Sequence, residues 1–288
     1  MPQSKLSVGN VEISVLHDSE MALPLSQTFP DVPADSWTPY QQRYPEAFDG
    51  AENLRVHFEC YLIRSLERII LVDTGLGTSA SNPGTVAAFG GRADGRLLAE
   101  LQSAGLGVED VDTVFLTHLH PDHMGWNLTH EGSSVSATFP RARYLAHEAD
   151  WPLYQAPRDE EKAGFSFWEN TIGPLERLGV LDLLTGERPL TSEVTAISTP
   201  GHTPGSMSLV ISSAGERALI MGDVFHNPTQ VTETDWVVAF DEDPALAVQT
   251  RRNMVDRAEL ENAPMAICHS NGFGRVVRIE GQRYWRVL

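Results

Sequence analysis

Three imidazoles and a carboxylate fall within six residues, His118-Leu119-His120-Pro121-Asp122-His123, just after the apolar run Val114-Phe115-Leu116. Whatever the chain folds into must end a strand where these side chains converge. Read as a strand running into a loop, the segment sets His118 and His120 two residues apart, so both rings leave the backbone on the same side and can share one ion. Pro121 fixes its own φ and turns the chain, which directs Asp122 and His123 to a neighbouring position and a second ion. Neutral imidazole and carboxylate suit zinc, manganese or iron(II). A donor set without thiolate argues against a closed structural zinc centre and for open, catalytic coordination. A polar loop with satisfied histidines explains any one of these residues, but four ligands in six residues count against it.

The rest of the composition narrows the partners. Asp and Glu number 39 against 21 Lys and Arg, a formal charge of −18, over 288 residues. Nucleic-acid binding relies on a basic footprint, so DNA and RNA are excluded as expected partners. No apolar stretch approaches the ~20 residues that span a bilayer, and Met1-Pro2-Gln3-Ser4-Lys5 lacks a signal-peptide pattern. We therefore expect a cytoplasmic protein without a membrane partner. Cys60 and Cys268 are the only cysteines. They make no disulfide framework and read as small buried hydrophobes.

Along the chain, Val11, Ile13 and Val15 alternate with polar residues as a strand does, and Leu54, Val56, Phe58, Cys60 and Leu62 repeat the pattern. Between them, residues 21–53 hold five prolines with Phe29, Trp37, Tyr40, Tyr44 and Phe48, and read as a long aromatic loop segment: a lid, a pocket wall, a dimer contact or simple packing. Ile69-Ile70-Leu71-Val72 reads as a buried strand ending at Asp73 and a Gly-rich turn. Arg96 to Ser103 reads as a short helix. A strand is expected at 142–145, then helix or loop over 147–178, where Trp151, Phe165, Phe167 and Trp168 form another candidate pocket wall. Strands return at 194–198, 207–211, 218–221, 265–268 and 276–279. One long helix interrupts them, capped by Asp243 with Pro244 at its first position and turning Ala247, Met254, Val255 and Ala258 inward. Strand groups in both halves imply two sheets with helices outside. With no repeat and no linker, residues 1–288 read as a single domain.

Three further ligand types sit where strands give way to loops: His202 in Thr199-Pro200-Gly201-His202, Asp223 in Met221-Gly222-Asp223, and His269 after Ile267-Cys268. With His118-x-His120-x-Asp122-His123 they resemble the metallo-β-lactamase superfamily over roughly residues 54–280. The resemblance implies an α+β fold, an αββα sandwich of two mixed β-sheets flanked by helices, with the site at one edge between the sheets. It implies that His118, His120 and His202 hold one ion, that Asp122, His123 and His269 hold the other, and that Asp223 bridges them together with a hydroxide. Two divalent ions follow, zinc first, with manganese, iron or cobalt as alternatives. Asp73 matches a strand-end Asp that orients a ligand histidine, and capping its own turn is the competing role. Paired ions generate a hydroxide near neutral pH and stabilise the oxyanion formed on attack, so the class is hydrolysis; Asp122 is placed to take the nucleophile's proton.

Within that superfamily, His120 stands where oxygen-reducing members carry Glu, and Asp223 counts against true β-lactamases. Gly222-Asp223-Val224-Phe225-His226, Pro228-Thr229-Gln230 and the Phe240-Asp241-x-Asp243-Pro244 helix start look like the quorum-quenching lactonase and methyl-parathion-hydrolase-like branch. His226 stands where lactonases carry a leaving-group tyrosine, and an imidazole can take over that role. Phe29, Trp37, Phe48, Trp126 and Phe225 are candidates for an apolar pocket around a neutral or acyl-bearing substrate. The leading expectation is a dinuclear hydrolase of acyl-homoserine-like lactones or related esters. Organophosphate or aryl-ester hydrolysis at the same site is the second, and a metal-containing ligand-binding or sensor module the third. A homodimer is expected by resemblance.

Overall fold

In the computed structural model of the chain, residues 3–66, 68–81, 86, 93–132, 134–152 and 167–288 are described. Phe165 and the Phe167 side chain, read above as pocket wall, lie outside the described residues. The first half supplies β1 (Lys5–Val8), β2 (Val11–Pro24), β3 (Phe48–Asp49), β4 (Asn53–Ser65), β5 (Arg68–Val72) and β6 (Thr113–Phe115), then the separate hairpin of β7 (Leu128–Glu131) and β8 (Ser134–Ala137), then β9 (Arg143–His147) and β10 (Leu181–Leu184). Eight of these form one sheet in the order β1-β2-β4-β5-β6-β9-β10, with β3 on β4. Its β5-β6, β6-β9 and β9-β10 pairs are parallel and the rest antiparallel.

The second half supplies β11 (Arg188–Pro189), β12 (Val194–Ser198), β13 (Met207–Ser213), β14 (Glu216–Ile220), β15 (Met265–Ala266), β16 (Phe273–Ile279) and β17 (Gln282–Val287). They form a second sheet in sequence order, parallel only between β14 and β15. Both sheets are mixed, as expected. Tyr61, Ile63, Ile70, Val72 and Phe115 of the first sheet pack against Ala196, Leu209, Ile211, Ala218 and Ile220 of the second in one buried cluster. Helices among the described residues include α1 (Leu25–Thr28), α2 (Thr38–Arg43), α3 (Leu97–Ser103), α4 (Phe167–Thr171), α5 (Gly173–Arg177) and α6 (Pro244–Leu260). Leu97 and Leu101 of α3 pack with Leu16, Cys60 and Leu62 on the outside of the first sheet, and Met254, Val255 and Ala258 of α6 pack with Leu219 and Met265 on the outside of the second. Asp243 caps α6 by accepting from Leu246 N at 3.0 Å.

Residues 21–53 are not a long loop. β2 continues to Pro24, α1 and α2 follow, and β3 closes the segment on β4. Its Phe29, Trp37, Tyr40, Tyr44 and Phe48 are all buried, joined by edge-to-face contacts such as Phe29–Trp37 at 5.1 Å. Packing onto the body therefore describes these rings, which face the chain's own core. Phe225 is equally enclosed in that core. Trp126 donates through Nε1 to Asp18 at 2.8 Å. Among the described residues no helix is long and apolar enough to cross a membrane.

Two close approaches hold the loops that matter for the site. A Cβ on Gly201 would meet Ala247 N at 2.3 Å, because the start of α6 sits directly on that loop, and a Cβ on Gly125 would meet Leu76 C at 2.1 Å. Replacing Gly125 with Ala must push two backbones apart, so we expect a loss of about 1–3 kcal/mol. Urea denaturation should show the lowered midpoint, and an unchanged midpoint would contradict the packing described here.

Candidate metal centre

Four loops deliver the site, each continuing a strand that ends at the same edge. β6 leads to His118, His120, Asp122 and His123, β12 to His202, β14 to Asp223 and His226, and β15 to His269. Asp223 lies at the focus and is 4% exposed. Its Oδ2 is 3.0 Å from His269 Nε2, 3.3 Å from His226 Nε2, 3.4 Å from both His123 Nε2 and His202 Nε2, and 3.8 Å from His118 Nε2. His120 Nδ1 sits 2.8 Å from His202 Nε2. Asp122 Oδ2 sits 3.7 Å from both His123 Nε2 and His269 Nε2. Donor atoms thus converge in the groups His118-His120-His202, Asp122-His123-His269 and His118-His123-Asp223.

Outer partners aim the rings inward. His123 Nδ1 is 2.9 Å from Asp73 Oδ2, His202 Nδ1 is 2.9 Å from Asp241 Oδ1, and His269 Nδ1 is 2.9 Å from the His57 carbonyl. His118 Nδ1 is 3.1 Å from Thr117 Oγ1, whose own proton goes to Asp73 Oδ2 at 2.8 Å. Each Nδ1 therefore carries the proton and donates it outward, which leaves the inward Nε2 with a lone pair. His118 Nε2, His123 Nε2 and Asp223 Oδ1 are buried without a hydrogen-bond partner among the described residues. Buried lone pairs aimed at one another repel unless cations lie between them, so the donor set fits divalent metal.

The charges agree. Burial opposes ionising Asp223, yet the imidazoles of His269, His123, His226 and His118 hold its carboxyl well below the usual range. Burial alone dominates at His226 and brings its imidazole down to about 4, so the ring is neutral at pH 7. His226 is brought to the site as expected, stacked on His269 at 5.6 Å, with both ring nitrogens unpartnered among the described residues.

Asp73 orients His123 and does not cap its own turn. It adopts φ 59°, a left-handed conformation that Asp tolerates better than most residues. Its Oδ1 accepts from Thr117 N at 2.7 Å. The turn is held instead by Asp18, which accepts from Leu76 N and Gly77 N at 2.9 and 3.0 Å. Reading the sequence missed Asp18, and it missed Asp150, which joins the first motif to the His202 loop by accepting from Leu119 N at 3.2 Å and Gly205 N at 2.6 Å. It also missed Asp241 as the partner of His202, although Asp241 lay within the quoted helix start. Cys60 and Cys268 are both buried and free. Cys268 joins Asp73 and His123 in a competing donor group, but both Asp73 oxygens already accept hydrogen bonds.

Comparison with known proteins agrees with this geometry. The family model for the metallo-beta-lactamase superfamily matches residues 59–269. The chain belongs to the metallo-beta-lactamase superfamily. Like that superfamily's hydrolases, it is a metal-dependent hydrolase. It is 27% identical over 231 residues to the uncharacterized protein YobT of Bacillus subtilis (strain 168), covering 78% of this chain and 86% of that protein. An N-acyl homoserine lactonase of Bacillus sp is 28% identical over 165 residues, which span 54% of this chain and 58% of that protein. The solved structure of AidC, a dizinc quorum-quenching lactonase in complex with a product, shares the fold with a TM-score of 0.79 at 22% identity, covering 99% of this chain and 96% of that one.

Asp241 offers a direct test of whether these outer partners hold a donor ring in place. Replacing Asp241 with Asn should weaken metal retention about 10–100-fold by loosening His202. Competition with a chromophoric chelator measures this, and an unaltered affinity would contradict the role.

Proposed function

We propose that the chain is a dinuclear-metal hydrolase that opens lactones of the acyl-homoserine type or cleaves related esters. The observation that carries the reading is the buried Asp223 carboxylate ringed by imidazoles whose outer nitrogens are tied down. In this reading His118, His120 and His202 hold one ion, Asp122, His123 and His269 hold the second, and Asp223 lies between them. Zinc suits the donors, and manganese, iron or cobalt can replace it. Ions held there would supply a water of lowered pKa and stabilise negative charge on the substrate.

The chain's own side chains do the rest. Asp122 has 14% of its side chain exposed against 3% for Asp223, so it is the carboxylate that can receive the attacking water's proton. His226, neutral and unpartnered among the described residues, offers an N–H to the leaving alkoxide from beside Asp223. It serves as a hydrogen-bond donor, not as an imidazolium acid. The named activity of the Bacillus sp relative supports lactones as the substrate class, and the fold shared with AidC is consistent with it. His226 in place of a tyrosine favours a second reading, in which aryl esters or phosphotriesters with good leaving groups are preferred at the same site.

Initial rates with acyl-homoserine lactones of several chain lengths, aliphatic lactones, aryl esters and a phosphotriester separate these readings. We expect lactones to lead, and a flat response to every substrate with metal bound would point to a sensor. Asp223→Ala should abolish turnover in a protein that still folds; retained turnover would remove the proposal. His226→Phe should lower kcat on lactones about 10²-fold while sparing aryl esters, whose leaving groups need no donor. Equal losses on both would assign His226 to packing.

A further inference from the structure

A second group of ligand-type side chains lies outside this centre, where β2 and β4 pair around a bulge. The register sets His17 opposite Glu59 and Glu20 opposite His57, with the irregularity falling between His17 and Ser19. His57 and Glu59 are two residues apart on a continuous strand, so the four side chains share one face. His17 Nδ1 is 2.9 Å from Glu59 Oε1, His57 Nδ1 is 3.8 Å from the same oxygen, and His57 Nδ1 is 3.3 Å from Glu20 Oε2. Ligands placed tetrahedrally at ~2.1 Å from zinc stand about 3.4 Å apart, and these separations bracket that value. The side chains of Glu59 and His57 are only 1% and 6% exposed.

An ion pair between His17 and Glu59 explains only part of this arrangement. It satisfies Glu59 Oε1, yet Glu59 Oε2 and His57 Nδ1 remain buried without a hydrogen-bond partner among the described residues. Burial pushes the Glu59 carboxyl above its usual range, with the His17 contact only partly offsetting it. Two buried polar atoms left without a hydrogen-bond partner on residues of one cluster are what a cation would satisfy.

We propose that His17, His57 and Glu59 bind a further divalent cation, separate from the Asp223 centre. Glu20 occupies the open side, where it is shared with Arg55 at 3.0 Å, so the fourth position is left to Glu20 or water. The site has a mechanical link to the centre. The His57 carbonyl accepts from His269 Nδ1 at 2.9 Å, and His57 N donates to the His269 carbonyl at 3.4 Å. A cation gripping His57 from one side thus fixes the stretch of β4 that aims a ligand of the Asp223 centre on the other.

Anomalous scattering at the zinc edge tests this on wild-type protein loaded with zinc and dialysed against metal-free buffer. A peak enclosed by His17, His57 and Glu59 is expected, and peaks only around Asp223 would overturn the proposal. A peak here with none around Asp223 would instead sink the dinuclear reading and leave this site standing. In solution, His17→Gln at the half-exposed position should retain one zinc equivalent fewer per chain than wild type, by elemental analysis, with an unchanged melting temperature in EDTA. His118→Ala should lose metal independently of it. Equal zinc content in His17→Gln and wild type would overturn the site.

Discussion

A carboxylate buried at the meeting point of several imidazoles is the constraint around which the rest of this structure is arranged. Burial opposes ionising Asp223, and the histidines around it hold its carboxyl well below the usual range. Five of them aim a nitrogen at its Oδ2 from within 3.8 Å. Such a cluster is unstable unless its rings are held in one orientation, and the fold supplies a different holder for four of the five: Asp73 for His123, Asp241 for His202, Thr117 for His118 and the His57 carbonyl for His269. The sheets matter to function because they end at one edge, so that four loops from both halves of the chain can supply donors to one place.

The loops themselves are fixed by buried carboxylates. Asp18 accepts from Leu76, Gly77, Leu97 and Trp126, Asp150 accepts from Leu119, Thr203 and Gly205, and Asp241 meets both His202 and Arg251. Each carries a cost of burial that its hydrogen-bond partners offset at least in part, with burial still holding the Asp18 and Asp150 carboxyls above their usual range. Arg251 extends the same logic. Fully buried on α6, it donates to the carbonyls of Val224, Thr234 and Trp236, tying the helix to the segment that follows Asp223.

The site was more legible in the sequence than the architecture around it. Histidines and aspartates at strand ends carry a signal in their spacing, and all seven expected ligands meet in space. Asp73 was legible as a strand end, but its choice between orienting a ligand histidine and capping its own turn depended on Asp18, which is distant in sequence. Asp241 lies 39 residues from His202, and no local pattern announces such a contact. The 21–53 segment misled because its helices are four and six residues long, too short for a 3.6-residue period to show among prolines. β17 went unseen because Arg283 and Arg286 interrupt its alternation, whereas α6 was found from its Asp243-Pro244 start.

X-ray absorption at the zinc edge of the loaded protein tests the central claim most directly. The account predicts a first shell of nitrogen and oxygen at about 2.0–2.1 Å, with a metal–metal vector near 3.5–4 Å. A sulfur shell at about 2.3 Å would contradict it, since zinc would then sit with Cys268, Asp73 and His123 and leave Asp223 without the role given to it here.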